Sequence, residues 1–375
     1  MQGSPRNAAD WLAEGDEHYA AGRWLEAGIA LEAALLHDPA QARAWYRLGN
    51  VREEQARDGD AVVCFERAIA LEPDHARAWN NLGGARQRMG RDEEAAAAYR
   101  EAMRADPELP QPYLNLGRLA AGRGDRVLAA ECFRNGLARH PDDPMLQHLL
   151  AAVEGRDTER APEAYVTALF DGFAQNFERH LVKELQYRVP TELAAMIAPR
   201  LAKLRDAPVR ARVIDLGCGT GLVGAALAGT GAEVIGVDLA SRMLEVAAAR
   251  GDYAGLEQGE LLEMLARAAP GSAQAVVAAD VFIYVGDLEQ VFAAVTRVLA
   301  PAGLFALSVE GLEKGDYQLR PSGRYAQSPA YLRALARRTG LEELRIEATR
   351  VRREGSGYAE GWLALFAKPD RLTTA

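Results

Sequence analysis

Residues 213 to 221 run Val-Ile-Asp-Leu-Gly-Cys-Gly-Thr-Gly, and a second apolar run closes at Asp238, seventeen residues later. No other stretch restricts the fold as much. Val213 and Ile214 read as a short buried strand. Gly217, Gly219 and Gly221 make a turn in which no Cβ stands between backbone and ligand. Leu222–Ala228 follows as a helix whose N-terminus faces that turn. Glu233–Val237 is a second strand that carries Asp238 to its tip. In a doubly wound sheet, an acid there hydrogen-bonds a ribose diol. The order strand, acid, glycines, helix, strand, acid therefore predicts an adenosine-bearing ligand at the carboxyl edge of a parallel sheet.

The spacing narrows the ligand. The dinucleotide fingerprint is G-x-G-x-x-G, whereas here the glycines fall as G-x-G-x-G. Asp215, two residues before the first glycine, would repel a pyrophosphate and suits a cation. S-adenosylmethionine has a sulfonium and an ammonium group and no phosphate. The stretch closely resembles the first two motifs of class I methyltransferases that use S-adenosylmethionine. The resemblance implies a Rossmann-like α/β domain in which Asp215, Gly217, Cys218, Gly219, Gly221, Asp238 and Leu239 line the cofactor. It places Met243 against the nucleoside, and Glu260 and Leu261 beside the adenine after a third strand. Cys218 is expected to be a small filler there and not a nucleophile.

Ahead of this domain the chain repeats. Prolines recur at Pro39, Pro73, Pro107 and Pro141, each 34 residues apart. Before each stands one skeleton, Trp45-Leu48-Gly49-Ala61-Phe65-Ala68 in the second unit and Trp79-Leu82-Gly83-Ala95-Tyr99-Ala102 in the third. The fourth reads Tyr113, Leu116, Gly117, Ala129, Phe133, and the first is weaker, with Gly15, Ala27, Leu31 and Ala34. That period is the period of tetratricopeptide repeats. Small residues let two helices approach, and large ones fill the gap to the next pair. The expected organisation is an all-α solenoid over 8–154, with a capping helix within Met145–Val153, then a polar linker over 155–164, then the methyltransferase domain over 165–369. The concave face of the solenoid is expected to carry Tyr19, Tyr46, Asn50, Asn80, Gln87, Arg88 and Arg118. These are the candidates for holding a protein or peptide partner.

The 165–369 segment as a whole resembles a family of bacterial methyltransferases that carry tetratricopeptide repeats. The marks are Phe170-Asp171-x-Phe173-Ala174-x-x-Phe177, His180-Leu181, Leu185-x-Tyr187-Arg188-x-Pro190, and Gly323-Arg324-Tyr325-Ala326-x-Ser328. The resemblance implies a helical lid at 165–190. Arg188 would meet the cofactor carboxylate, and Tyr165 or Tyr187 would flank the methyl group. A fourth strand ends at Asp280, which is also expected among the cofactor-binding residues, and a fifth at Glu310. Asp280, Tyr284, Glu310 and His180 are the candidate general bases, with Tyr187, Tyr284 and Glu310 chosen as catalytic. The polar, turn-rich insertion at 318–331 offers Arg320, Arg324, Tyr325 and Ser328 to an acceptor.

Composition removes other classes. The net charge is −9 and the lysines number four, Lys183, Lys203, Lys314 and Lys368. No basic stripe invites nucleic acid. No apolar run reaches the roughly 18 residues that span a bilayer. Cys64, Cys132 and Cys218 show neither metal spacing nor a disulfide framework, which fits a reducing cytoplasm and no metal. Two functions stay open: methylation of a protein or carrier-borne acceptor recruited by the repeats, or of a free metabolite, with the repeats serving assembly.

Overall fold

The computed structural model describes residues 6–171, 187–204, 210–354 and 357–370. The chain divides into two compact units after Glu154.

The first unit is built of four antiparallel helix pairs, α1 (Ala8–Ala20) and α2 (Trp24–His37), α3 (Ala42–Glu54) and α4 (Asp58–Leu71), α5 (Ala76–Arg88) and α6 (Asp92–Ala105), α7 (Pro110–Gly122) and α8 (Arg126–Arg139). A ninth helix, α9 (Pro144–Glu154), packs on α8 and buries Leu146, Leu149 and Leu150. Each pair closes by one device. A glycine on the first helix lies under a large side chain sixteen residues later, so a Cβ at Gly49, Gly83 or Gly117 would come within 2.5, 2.5 or 2.3 Å of Phe65, Tyr99 or Phe133. Gly15 meets Leu31 in the same way at 2.7 Å. A second device ties each pair to the proline that precedes it. The Trp45 and Trp79 indole N–H groups donate to the carbonyls of Pro39 and Pro73 at 2.9 and 2.8 Å, and the Tyr113 hydroxyl donates to that of Pro107 at 3.0 Å. Gln147 does the same for Pro141 at 2.7 Å. The sequence period is thus a period of contacts.

The second unit is a sheet with helices on both faces. Five parallel strands, β1 (Arg212–Leu216), β2 (Glu233–Asp238), β3 (Gly255–Gln258), β4 (Ala273–Ala278) and β5 (Leu299–Gly311), lie in the order β3-β2-β1-β4-β5. Strand β9 (Gly357–Ala367) pairs antiparallel with β5, and β8 (Glu342–Glu354) pairs antiparallel with β9. One apolar face holds Phe282, Phe292, Phe305, Leu307 and Phe366. The other holds Leu193, Ile197, Val213, Val277, Ala306 and Leu363. Among the described residues its α-helices are α10 (Glu163–Asp171), α11 (Val189–Lys203), α12 (Leu222–Leu227), α13 (Ser241–Arg250), α14 (Leu261–Arg267), α15 (Glu289–Val298) and α16 (Pro329–Thr339).

Two segments differ from their sequence reading. The insertion at 318–331, read as polar and turn-rich, is in part regular, buried structure. It forms a hairpin, β6 (Tyr317–Leu319) and β7 (Tyr325–Gln327), and β7 pairs parallel with Glu310 and Gly311 of β5. All three β7 side chains are buried, so the polar Gln327 is spent on the carbonyls of Phe282 and Val285, at 3.0 and 2.7 Å. The polar stretch after Glu154 is also not a free linker. Its residues from Asp157 to Ala161 are hydrogen-bonded onto the second unit. The expected lid residues Phe173, Phe177, His180, Leu181 and Leu185 lie outside the described residues.

Candidate functional site

β1 is flanked by β2 on one side and β4 on the other; the chain runs outward from β1 through β2 to β3, then crosses back to β4 on the other side, so the strand order reverses at β1. A crevice opens at the carboxyl ends of strands at such a reversal. The glycine turn sits there, and its three glycines answer three different demands. All have positive φ, at +62°, +52° and +89° for Gly217, Gly219 and Gly221. At Gly217 a Cβ would meet Val281 at 2.6 Å, so this glycine admits the loop after β4. Gly221 is the N-cap of α12 and packs against Ala247, Arg250 and Tyr253. Around Gly219 no atom lies within 4 Å of a built Cβ, so the turn leaves open space there.

Two acids face the turn. Asp238 accepts the Gly219 N–H through Oδ2 at 2.8 Å and the Ala240 N–H through Oδ1 at 2.9 Å. Both bonds fix the carboxylate at the strand tip. Asp215 is fully buried. Its Oδ2 accepts the Tyr253 hydroxyl at 2.6 Å, and its Oδ1 has no hydrogen-bond partner. Burial pushes this carboxyl up to about 7, with the Asp238 charge acting in the same direction and the Tyr253 hydroxyl opposing both. A buried carboxylate oxygen without a donor is expensive, and a cationic ligand group would relieve it. Cys218 packs against Gly236, and burial raises its thiol, so the side chain is inert filler.

The remaining cofactor candidates divide into two sets. Met243 and Ala240 are fully buried, with Phe170 of α10 packed on them. Phe170 and Tyr165 also contact Tyr284, with ring centroids 5.5 and 6.5 Å apart. Tyr165, Met243 and Tyr284 are thus gathered at one end. Leu239 and Leu261 are half-buried, and Leu239 gives its carbonyl to the Gln258 side chain. Glu260 has a different occupation. Its Oε2 caps α14 by accepting the N–H groups of Leu262 and Glu263 at 2.6 and 3.1 Å, and its Oε1 faces Arg160 at 3.5 Å. Arg188 is exposed at the start of α11.

A second cluster stands at the ends of β4 and β5. Asp280 adopts φ +59°, unusual for a residue with a side chain. Its backbone N–H donates to the Ser308 hydroxyl at 2.8 Å. Arg352, at the end of β8 and 95% buried, binds both Asp280 oxygens at 3.2 and 3.0 Å and also grips Glu310. Arg320 reaches Glu310 at 3.3 Å and Arg324 at 4.0 Å. Burial raises the Asp280 carboxyl, Arg352 lowers it, and Glu310 raises it again. Tyr187 and Tyr284 are raised by burial first and by the Asp280 charge among the others, so both hold their protons. The expected catalytic residues Tyr187, Tyr284 and Glu310 therefore belong to one neighbourhood. Arg352 was missed, since Leu344–Glu354 carries four arginines and nothing in their spacing singles one out. Tyr325 and Ser328 are engaged within the fold. The Tyr325 hydroxyl pairs with Thr158, and Ser328 caps α16 by accepting the Tyr331 N–H at 3.1 Å. Ser328-Pro329 is an N-cap followed by proline in the first turn, a signal the sequence did contain.

Comparison with known proteins decides what kind of domain this is. Residues 214–307 match the family model described as a methyltransferase domain. Residues 59–110 and 42–75 match models of the tetratricopeptide repeat. The chain carries a methyltransferase domain behind tetratricopeptide repeats. The cofactor of the methyltransferase domain is S-adenosylmethionine. A ubiquinone biosynthesis O-methyltransferase of Xanthomonas axonopodis pv. citri is 32% identical over 154 residues, which is 36% of this chain and 64% of that protein. One of Thiobacillus denitrificans is 34% identical over 149 residues, 35% of this chain and 64% of that protein. The chain thus spans just under two thirds of the length of these relatives. Among solved structures, MamA is 27% identical at a TM-score of 0.36, over 37% of this chain and 81% of that one. A sarcosine dimethylglycine methyltransferase described as putative, from Galdieria sulphuraria, is 18% identical at a TM-score of 0.39, over 48% and 85%. Among the described residues no helix is long and apolar enough to cross a membrane.

The candidate groove of the repeats is only partly free. Asn50, 7% exposed, accepts the Asn81 amide at 2.9 Å, and Asn80 accepts that of Asn115 at 2.9 Å. These asparagines tie successive repeats together. Arg88 is paired with Glu53 and Asp58. Tyr46 stacks on His75, and Tyr19 packs between Trp24 and Arg47. Arg118 is exposed.

Proposed function

We propose that the chain transfers the methyl group of S-adenosylmethionine to an acceptor seated at the carboxyl ends of β4 and β5, and that the repeats recruit that acceptor as part of a protein, peptide or carrier. The observation that carries the reading is that the glycine turn and the Asp280–Arg352–Glu310 cluster adjoin. Val281, next to Asp280, is the residue that lies against Gly217.

In this reading the carboxylate of Asp215 faces the ammonium group of the cofactor, Asp238 takes the ribose diol, and the space over Gly219 admits the ligand backbone. Met243, Leu239 and Leu261 flank the nucleoside. Methyl transfer is an in-line displacement on an activated carbon, so the protein mostly aligns nucleophile, methyl and sulfur and excludes water. A hydroxyl acceptor also needs a base. Asp280 suits that role better than Glu310, which is held by several arginines. Tyr187 and Tyr284, protonated, would donate hydrogen bonds to the acceptor.

A second reading has the enzyme methylate a free small molecule, with the repeats serving assembly. The names of the curated relatives, O-methyltransferases of ubiquinone biosynthesis, favour it. One experiment separates the two. The full chain is incubated with methyl-tritiated cofactor and a fractionated extract. Label in the macromolecular fraction supports recruitment, and label that extracts with small molecules supports the second reading. No transfer to any fraction, by a chain that binds cofactor, overturns both.

A further inference from the structure

The polar segment that follows α9 is tied to the second unit at each residue from 157 to 161. Asp157 accepts the Leu319 N–H at 2.7 Å, at the end of β6. The Thr158 hydroxyl pairs with the buried Tyr325 hydroxyl of β7. The Glu159 carbonyl accepts two N–H groups, those of Gly286 and Asp287, at 2.8 and 2.9 Å. Arg160 forms an antiparallel bridge with Val285 and reaches Glu260 at 3.5 Å. The Ala161 N–H donates to the Tyr284 carbonyl at 2.9 Å. α10 starts at Glu163, two residues on, and carries Tyr165 and Phe170 to the Tyr284 ring.

These ties share one target. The loop 281–287 holds Val281 against Gly217 and Tyr284 beside the aromatic residues of α10. From the interior the loop is held by Gln327 and by Tyr331, whose hydroxyl donates to Asp287 at 2.9 Å. From the surface it is held by 159–161. The bonds to the loop are made mainly by backbone groups, so the composition of the segment gives no sign of them, and it looks like a linker.

We infer that residues 157–161 form a strap whose residues position the 281–287 loop, and through it the ligand-facing groups Val281 and Tyr284. The inference rests on the reading that this loop borders the cofactor. It gives Thr158 and Arg160 roles as positioning residues. Thr158 anchors the strap to the hairpin, and Arg160 anchors it to the Glu260 cap.

The test uses the full chain and S-adenosylhomocysteine as probe. The variants are Thr158→Val and Arg160→Ala, each beside its conservative partner, Thr158→Ser and Arg160→Lys. Titration calorimetry gives the dissociation constant, and hydrogen exchange follows the Gly286 and Asp287 amides. In the Val and Ala variants the constant is expected to rise roughly fivefold, the scale of one lost hydrogen bond. The two amides are expected to exchange about tenfold faster. The Ser and Lys variants are expected to restore both. Unchanged affinity and unchanged amide protection in folded Val and Ala variants would overturn the strap. Absence of binding by the parent chain would overturn the cofactor site instead, so the two failures are distinct.

Discussion

The two ends of the candidate site are built in opposite ways. The proposed cofactor end is shaped mainly by one short run, 213–238, through backbone N–H groups, positive-φ glycines and the acids Asp215 and Asp238. The proposed acceptor end is made of side chains from β4, β5, β8 and the β6–β7 hairpin, joined by ion pairs around Arg352. A backbone cradle depends on local sequence and tolerates little variation. An ion-paired cluster depends on which distant strands meet, and its chemistry is set by the balance of charge within it.

That contrast predicts where damage will be global and where it will be local. The largest effect is expected at the acceptor end. Arg352→Ala leaves Asp280 and Glu310 buried without their shared cation, which should cost about 3 to 5 kcal/mol of stability, measured by urea unfolding. Adding Asp280→Asn should recover part of it. A folded Arg352→Ala protein of parent stability would show that the cluster is already neutral, and the two ends would then be less different than described.

The cofactor end should lose binding with little loss of fold. Asp238→Ala is expected to weaken S-adenosylhomocysteine binding by about 2 kcal/mol or more, since ribose hydroxyls would be left unpaired in a closed site. Gly219→Val should be worse, because its side chain would occupy the one open position of the turn. Calorimetry on the full-length variants, with circular dichroism as the check of folding, measures both.

Next comes a change at the repeats that leaves the site alone. Gly83→Ala would drive a methyl group into the Tyr99 ring. The expected cost is about 1 to 3 kcal/mol of stability from overpacking, with cofactor affinity unchanged. A change in affinity from that substitution would contradict the separation of the two units' tasks.

The smallest effect is a pH slope. Asp215 holds its proton up to about 7 in the folded chain, against about 4 when unfolded. Between those limits the folded state binds more protons, so this group makes stability fall as pH rises. The ionised form suits a cationic ligand, so affinity for S-adenosylmethionine should rise through about pH 7. Asp215→Asn should flatten both slopes, and an unchanged affinity profile in that variant would remove Asp215 from the site.

The cofactor end and the solenoid were legible because their signals are local or periodic. Gly217, Gly219, Gly221 and Asp238 lie within one strand-turn-helix-strand unit, and the period of Pro39, Pro73, Pro107 and Pro141 is repeated in the contacts of Gly49, Gly83 and Gly117. The ion-paired cluster at the ends of β4 and β5 was half legible. Asp280, Tyr284 and Glu310 follow from strand ends, but Arg352 looks like Arg350 and Arg353 until β8 is placed beside β9. Glu260, read as a ligand acid, also caps α14 through its carboxylate, a task the sequence did not announce because glutamate is not a favoured N-cap. The strap was invisible for a different reason. Its bonds to the 281–287 loop run mostly through backbone carbonyl and N–H groups, which every residue has. The insertion at 318–331 misled because its polar residues Gln327 and Ser328 satisfy buried backbone groups instead of facing water.

One measurement bears most directly on the central claim, that the glycine turn and the acid at the tip of β2 hold S-adenosylmethionine. Titration calorimetry of the full chain with S-adenosylhomocysteine, repeated on Asp238→Ala and Gly219→Val, is expected to show one site of micromolar affinity in the parent and a loss of about thirtyfold or more in each variant. No heat of binding in the folded parent, or parent affinity in both folded variants, would contradict it.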